Sequence, residues 1–298
     1  LRLAVGKIVR AIAGFYYVES LESSNTIVEC SIRGKIKLSS DSVFVGDKVE
    51  FLIDDNGKGV ITKILPRNNQ LLRPYIANVD LIVLVFAHHT PDPIEYLITK
   101  FLVLAEDSNI PYLLVFNKMD LVEKRKANLL AQTYRNYGYE VLCTSVVTHQ
   151  GKRKLQQYLK GKTTVFAGPS GVGKSALLNM VCPGFRLQTG AVSEKIGRGK
   201  HTTREVQLLK VNTNSYVADT PGFSQINLDF IEPQALAGLF PDFEQYLDQC
   251  KFSSCVHQAE PGCAVKNAVD EGKLSPSRYQ CYLELLDELK LAWKNRYR

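Results

Sequence analysis

Residues 163–178 read TTVFAGPSGVGKSALL. Five residues rich in β-branched and apolar side chains run into GPSGVGKS at 168–175, and a helix-forming stretch over 176–180 comes next. That is the G-x-x-x-x-G-K-S phosphate loop in its required setting, a buried strand before and a helix after. Glycines let backbone N–H groups turn inward around a β-phosphate, Lys174 bridges phosphate oxygens, and Ser175 offers its hydroxyl to magnesium. The binding set read from this stretch is Gly168, Pro169, Ser170, Gly171, Val172, Gly173, Lys174, Ser175 and Ala176. A chance match in a loop is the alternative, and the flanking strand and helix weigh against it.

A phosphate loop does not separate ATP from GTP. Asn117, Lys118, Met119 and Asp120 form NKMD at the end of the apolar run PYLLVFN, 111–117. Guanine presents two adjacent donors, N1–H and the N2 amine, and a carboxylate accepts both. Asp120 is that carboxylate; adenine lacks the pair, and a reading group left unpaired is costly. Asn117 braces the base and the phosphate loop, while Lys118 lays its aliphatic stem over the ring. Thr144 and Ser145, after the strand-like EVLCTS, suit the loop that touches the guanine carbonyl.

DTPGF at 219–223 supplies the γ-phosphate side. Asp219 holds magnesium through water, and the Gly222 N–H senses the γ-phosphate. Between it and the phosphate loop lies GRGKHTTR, 197–204, the expected first switch, where Thr203 or Thr202 coordinates magnesium. Phe223 stands where Ras-like enzymes carry the glutamine that orients the attacking water. His201 is the candidate for that role; a solvated loop histidine is the competing reading. Expected catalytic residues are therefore His201, Thr203, Lys174 and Gly222, with Ser175, Thr203 and Asp219 for magnesium.

The order of these motifs is the anomaly. In ordinary GTPases the base-reading strand comes after the switches; here it precedes the phosphate loop. The same sheet has been cut after the second switch and its old ends joined, through the Lys-rich segment 146–162. The second switch then becomes the exit of the GTPase domain and leads into the cysteine-rich C-terminal segment.

The segments on either side complete a multidomain α/β reading. Residues 1–67 carry short β-rich runs at 14–18, 26–32 and 43–53, in which Val49, Phe51 and Ile53 alternate with Lys48, Glu50 and Leu52. An OB-fold β-barrel is expected, with Phe15, Tyr16, Tyr17, Arg33, Lys35 and Lys37 as a nucleic-acid face or, for some of them, core packing. Residues 68–228 alternate strand and helix, including DLIVLVFA at 80–87, as in a doubly wound domain. Residues 229–298 read as helical, over 233–239 and 277–293, around a cysteine-rich stretch.

Composition is that of an ordinary folded protein: 45% hydrophobic, 22% charged. No run approaches the ~20 apolar residues of a membrane span, and no signal peptide opens the chain, so a cytoplasmic protein is expected. The net charge of +7 is concentrated at 67–229, where 20 Lys and Arg face 12 Asp and Glu. Lys195, Arg198, Lys200 and Arg204 sit in the Gly-rich loop, where a phosphate-bearing partner fits.

Seven cysteines without a secretory signal point to thiols or metal ligands. Cys250, Cys255, His257 and Cys263 give C-x4-C-x-H-x5-C, three thiolates and an imidazole, the donor set of a closed structural zinc site. Disulfides or stray thiols are the alternative. The other cysteines read as buried packing residues, and His88, His89 and His149 as loop residues.

VGDKVE in the barrel, NKMD, GPSGVGKS, GRGKHTTR, DTPGF and the cysteine cluster together resemble the RsgA/YjeQ/YloQ family of circularly permuted bacterial GTPases. The likeness runs along the whole chain. It implies an OB-fold, a permuted GTPase domain and a C-terminal helical zinc domain, in that order. It also implies a late-stage maturation factor of the small (30S) ribosomal subunit that binds GTP, GDP, magnesium and 16S rRNA and is stimulated by the subunit. The same histidine is suspected of the catalytic role in that family. No DNA or membrane partner is expected, and a monomer is. A GTP-dependent RNA-binding scaffold is the runner-up; a metabolic P-loop kinase conflicts with NKMD.

Overall fold

A computed structural model describes residues 2–22, 26–32, 42–72, 75–182, 206–212, 214–219 and 227–296. His201, Thr203, Gly222, Phe223, the basic loop 195–204 and the side chain of Asp219 fall outside them, as do Arg33, Lys35 and Lys37.

The first five strands are β1 (Arg2–Ile12), β2 (Phe15–Ser20), β3 (Ile27–Ile32), β4 (Lys48–Ile53) and β5 (Gly59–Ile64). β1 pairs antiparallel with both β2 and β4, β2 with β3, and β5 closes the circuit, parallel to β3 and antiparallel to β4. This is the expected barrel. Val49 and Phe51 are fully buried, as their alternation requires. β1 was not among the runs read from the sequence. Its Gly, Lys and Arg obscure the apolar rhythm, yet it anchors three pairings.

β6 (Gln70–Leu72) and β7 (Tyr75–Ala77) form a small hairpin. After it come β8 (Leu81–Ala87), α1 (Glu95–Asp107), β9 (Tyr112–Asn117), α2 (Lys124–Asn136), β10 (Val141–Cys143), α3 (Lys152–Leu159), β11 (Thr163–Ala167), α4 (Lys174–Val181), β12 (Gln207–Asn212) and β13 (Ser215–Asp219). β8 and β11 are buried at every position, which is why they read as continuous apolar runs. The C-terminal segment adds α5 (Glu244–Leu247), α6 (Ala264–Asp270) and α7 (Pro276–Arg296). The helix expected at 233–239 is only a 3-10 turn, Leu236–Leu239.

The chain divides into two compact units. One comprises Leu1–Val83, Lys152–Ala167 and Lys174–Phe223. Here β1 pairs with β12 at Arg10 and Gln207, β12 runs antiparallel to β13, and β13 parallel to β11. Buried polar groups bind barrel to sheet: Glu19 accepts from Tyr216 Oη at 2.9 Å and from Lys210, and Lys7 Nζ donates to Thr163 Oγ1 at 2.8 Å. Burial pushes the Lys7 ammonium down.

The other unit comprises Leu84–Gly151, Gly168–Gly173 and Ser224–Arg298. β10 lies parallel to β9, in the order β10, β9, β8. Its C-terminal segment has a core of its own, with Phe240, Phe243, Tyr282, Leu285 and Leu286 fully buried together with Val103 of α1. The cysteine stretch is therefore backed by an aromatic and aliphatic cluster as well as by any metal.

Candidate functional site

NKMD, the expected base-reading motif, stands at the C-terminal end of β9. Asn117 is buried, and its Nδ2 donates to the Val172 carbonyl of the phosphate loop at 2.9 Å. Lys118 turns the chain with a left-handed φ of 60°, and Met119–Leu121 form one 3-10 turn. That turn puts Asp120 at the surface, where Ser145 Oγ donates to its Oδ1. Thr144 Oγ1 donates to Asn117 Oδ1 at 3.1 Å, and Met119 N to the Thr144 carbonyl at 3.1 Å. Thr144 and Ser145 are fully buried. Two side chains from the end of β10 thus fix the two polar side chains at the end of β9, one hydrogen bond each. The Asp120 carboxylate keeps acceptor capacity for two donors, which is what a guanine edge requires.

The phosphate loop fits the same end. At Gly173, φ is +95° and an added Cβ would stand 2.5 Å from Asn117 Nδ2; at Gly168, φ is +138° and it would stand 2.1 Å from the Val85 carbonyl oxygen. Only glycine serves at either position. Pro169, Ser170 and Gly171 complete the loop, with Val172 buried beneath it. Lys174, Ser175 and Ala176 open α4, whose start places backbone donors where an anion is favoured. Burial pushes the Lys174 ammonium down to about 8.

One segment bordering this site was not singled out in the sequence. Thr90 accepts through its carbonyl from Lys118 Nζ, and Pro91 lies beside Gly171. His88 lies just past the end of β8, in the loop as expected, and is buried there, its ring 5.4 Å from that of Phe116 and its backbone N–H donating to the Asn117 carbonyl. The available signal was its place just beyond the carboxyl end of an inner strand, where ligands bind in such sheets.

A second centre lies in the C-terminal segment. The ligand atoms of Cys250, Cys255, His257 and Cys263 lie within 4.8 Å of one another. His257 Nδ1 is 3.5 Å from Cys250 Sγ and 3.4 Å from Cys263 Sγ. A tetrahedral ion with Zn–S of about 2.3 Å and Zn–N of about 2.0–2.1 Å needs an N–S edge of about 3.6 Å, so the donors fit zinc. Burial, then the neighbouring thiols against a backbone N–H, push the Cys255 thiol up to about 12, and burial lowers His257. A metal displaces the thiol protons. Ala264 N donates to Cys250 Sγ at 3.4 Å and Lys266 N to Cys263 Sγ at 3.5 Å, from the start of α6, which favours thiolates. Glu260, despite burial that opposes it, is held at about 2 by the backbone N–H groups of Val256, Gln258 and Ala259. Cys30, Cys182 and Cys281 are buried packing residues as expected, and Cys143 is partly exposed.

Among the described residues no helix is long and apolar enough to cross a membrane. A family model described as RsgA GTPase matches residues 64–229, and one described as the RsgA N-terminal domain matches 5–61. A protein of Alkaliphilus metalliredigens named small ribosomal subunit biogenesis GTPase RsgA is 47% identical over 296 residues, 99% of each chain. One of the same name from Caldanaerobacter subterraneus subsp. tengcongensis is 44% identical, 98% of each chain being covered. Among solved structures, YjeQ from Thermotoga maritima is similar with a TM-score of 0.84 and 39% identity, over 97% of this chain and 99% of that one. YloQ, described as a circularly permuted GTPase, is similar at 0.80 and 37%, over 97% and 96%.

Proposed function

The chain belongs to the RsgA family of GTPases, and on that premise we propose that it acts as a late-stage maturation factor of the small ribosomal subunit. The chemistry is hydrolysis of GTP to GDP and phosphate. In this reading the chain docks on 16S rRNA in its GTP form, the subunit raises its turnover, and hydrolysis releases it. The observation that carries the nucleotide part is the bridge from Asn117 to the Val172 carbonyl, flanked by the bond from Ser145 to Asp120. It ties base reading and phosphate binding together although the permutation has exchanged their order.

Each residue has a role in this proposal. Asp120 accepts the two guanine donors, Lys118 covers the ring, and the 168–173 amides with Lys174 hold the phosphates. Magnesium neutralises phosphate charge when bound, with Ser175, Asp219 and Thr203 as its residues. Gly222 senses the γ-phosphate and His201 orients water. Zinc, held by Cys250, Cys255, His257 and Cys263, is structural. Residues 1–67 serve as the RNA-binding barrel, 68–228 as the GTPase module and 229–298 as the zinc module of a cytoplasmic monomer. Phe15, nearly half exposed, and the partly exposed Tyr16 and Tyr17 support the barrel's role as a stacking surface.

Without a subunit, turnover is expected on the order of 10⁻³ per second or below, as for unassisted GTPases. The test is steady-state hydrolysis with and without purified 30S particles. A rise of about tenfold or more supports the reading; unchanged turnover sinks the stimulated switch and leaves a scaffold.

A further inference from the structure

Arg278, on the first turn of α7, is fully buried. Nothing in the proposed chemistry uses it. A guanidinium removed from water is costly unless its surroundings compensate, so its partners show what it is for. Nη1 donates to Thr99 Oγ1 of α1 at 2.9 Å, and Nη2 donates to Tyr139 Oη at the entry to β10. Nε lies 3.6 Å from Asp242 Oδ1, an ion pair. The plane also lies over Phe240, 4.3 Å from the ring centroid, and 5.3 Å from the rings of Tyr137 and Tyr139. One cation thus holds three pieces of chain that are remote in sequence.

Tyr139 stands two residues before β10, a strand of three residues that, among the described residues, lies at the edge of its sheet and pairs only with β9. β10 is held along its length by the ladder with β9 and by Arg135, which donates to the Val141 carbonyl, and Tyr139 adds an anchor just before its first residue. Its far end carries Thr144 and Ser145, which fix Asn117 and Asp120. On the opposite side, α7 is tied to the cysteine centre within the same turns: Tyr279 Oη donates to the His257 carbonyl at 2.6 Å and Tyr282 Oη to the Val256 carbonyl at 2.7 Å. Contacts therefore run unbroken from the metal-binding loop through α7 and β10 to the guanine-reading pair.

We propose that Arg278 is a positioning residue for guanine recognition: by clamping Tyr139 it sets the height of β10, and through Thr144 and Ser145 it aims Asn117 and Asp120. The inference rests on Asp120 reading the base. Its mark is selectivity rather than affinity alone. Inosine diphosphate lacks the 2-amino group that Asp120 accepts from, so the ratio of GDP to IDP affinity reports how well that carboxylate is aimed. A variant that only lowered the folded fraction would weaken both ligands alike and leave the ratio where it was.

The experiment compares Kd values for GDP and IDP in the whole zinc-loaded chain of 298 residues, its Arg278→Met variant and its Tyr139→Phe variant. The second removes one hydroxyl and keeps the ring, so it serves if the first does not fold. In the wild-type chain GDP must bind more tightly than IDP; equal binding would refute the Asp120 reading rather than this one. Given that preference, the ratio is expected to fall about tenfold in Arg278→Met and about threefold in Tyr139→Phe, with zinc content unchanged. A ratio within twofold of wild type in every variant that folds overturns the proposal.

Discussion

Burial holds the Lys174 ammonium at about 8 in the free chain, well below an ordinary lysine. Phosphates beside it favour the charged form and raise that value again. Below pH 8 the amine is already protonated and binding needs no proton, whereas above it the free chain has lost a proton that the complex retains. GDP affinity should therefore be flat up to about pH 8 and then fall, approaching tenfold per pH unit. Calorimetry at pH 8.5 in buffers of different ionisation enthalpy should show uptake of about half a proton or more per GDP. No uptake there would remove Lys174 from the phosphate site. Asn117 is the counterpart on the base side, with both ends of its amide bonded inside the chain before any ligand arrives. Such a side chain is aimed in advance, and little ordering remains to oppose binding.

At the scale of elements, the cysteine loop and α7 behave as one piece. The loop contributes Cys250, Cys255, His257 and Cys263, and α7 contributes the tyrosines that hold its carbonyls, together with Leu285, Leu286 and Leu289 of the surrounding apolar core. Trp293, the single tryptophan of the chain, donates from Nε1 to the Ile231 carbonyl in this segment, so its fluorescence reports on the segment without labelling. Purified protein should hold about one equivalent of zinc. Chelation should red-shift the Trp293 emission and lower the melting midpoint by about 10 °C, for a loss of about 3 kcal/mol. Less than about half an equivalent, or chelation with no change in emission, would contradict a structural metal. The elements also separate what the sequence displayed from what it hid. Val49 and Phe51, NKMD, GPSGVGKS and the cysteine spacing were legible because each is a local pattern. β1 was missed because Gly6, Lys7 and Arg10 break its apolar rhythm. The 3-10 turn replaced an expected helix where Pro233, Gly238 and Pro241 crowd the segment. Arg278 could not be read at all, since Thr99, Tyr139 and Asp242 become its neighbours only on folding.

Over the whole molecule, permutation changes connectivity and leaves the site's internal logic intact. β9 runs into NKMD, β11 runs into GPSGVGKS, and β13 ends at Asp219, so each motif stands at the carboxyl end of a strand even though their order in the chain is altered. The chain leaving β13 runs directly on to the segment that carries the cysteine centre. Family membership and the full-length likeness to YjeQ and YloQ fix the fold and the reaction. Which base the site prefers is the claim that the residue roles depend on, and it can be inverted by one substitution. Asp120→Asn exchanges a double acceptor for an amide that suits the 2-oxo group of xanthine. This variant is predicted to lose GDP affinity by a factor on the order of 10³ or more while gaining binding of xanthosine diphosphate. An Asp120→Asn chain that still prefers guanosine to xanthosine nucleotides, with affinities like those of the parent, would contradict that role for Asp120.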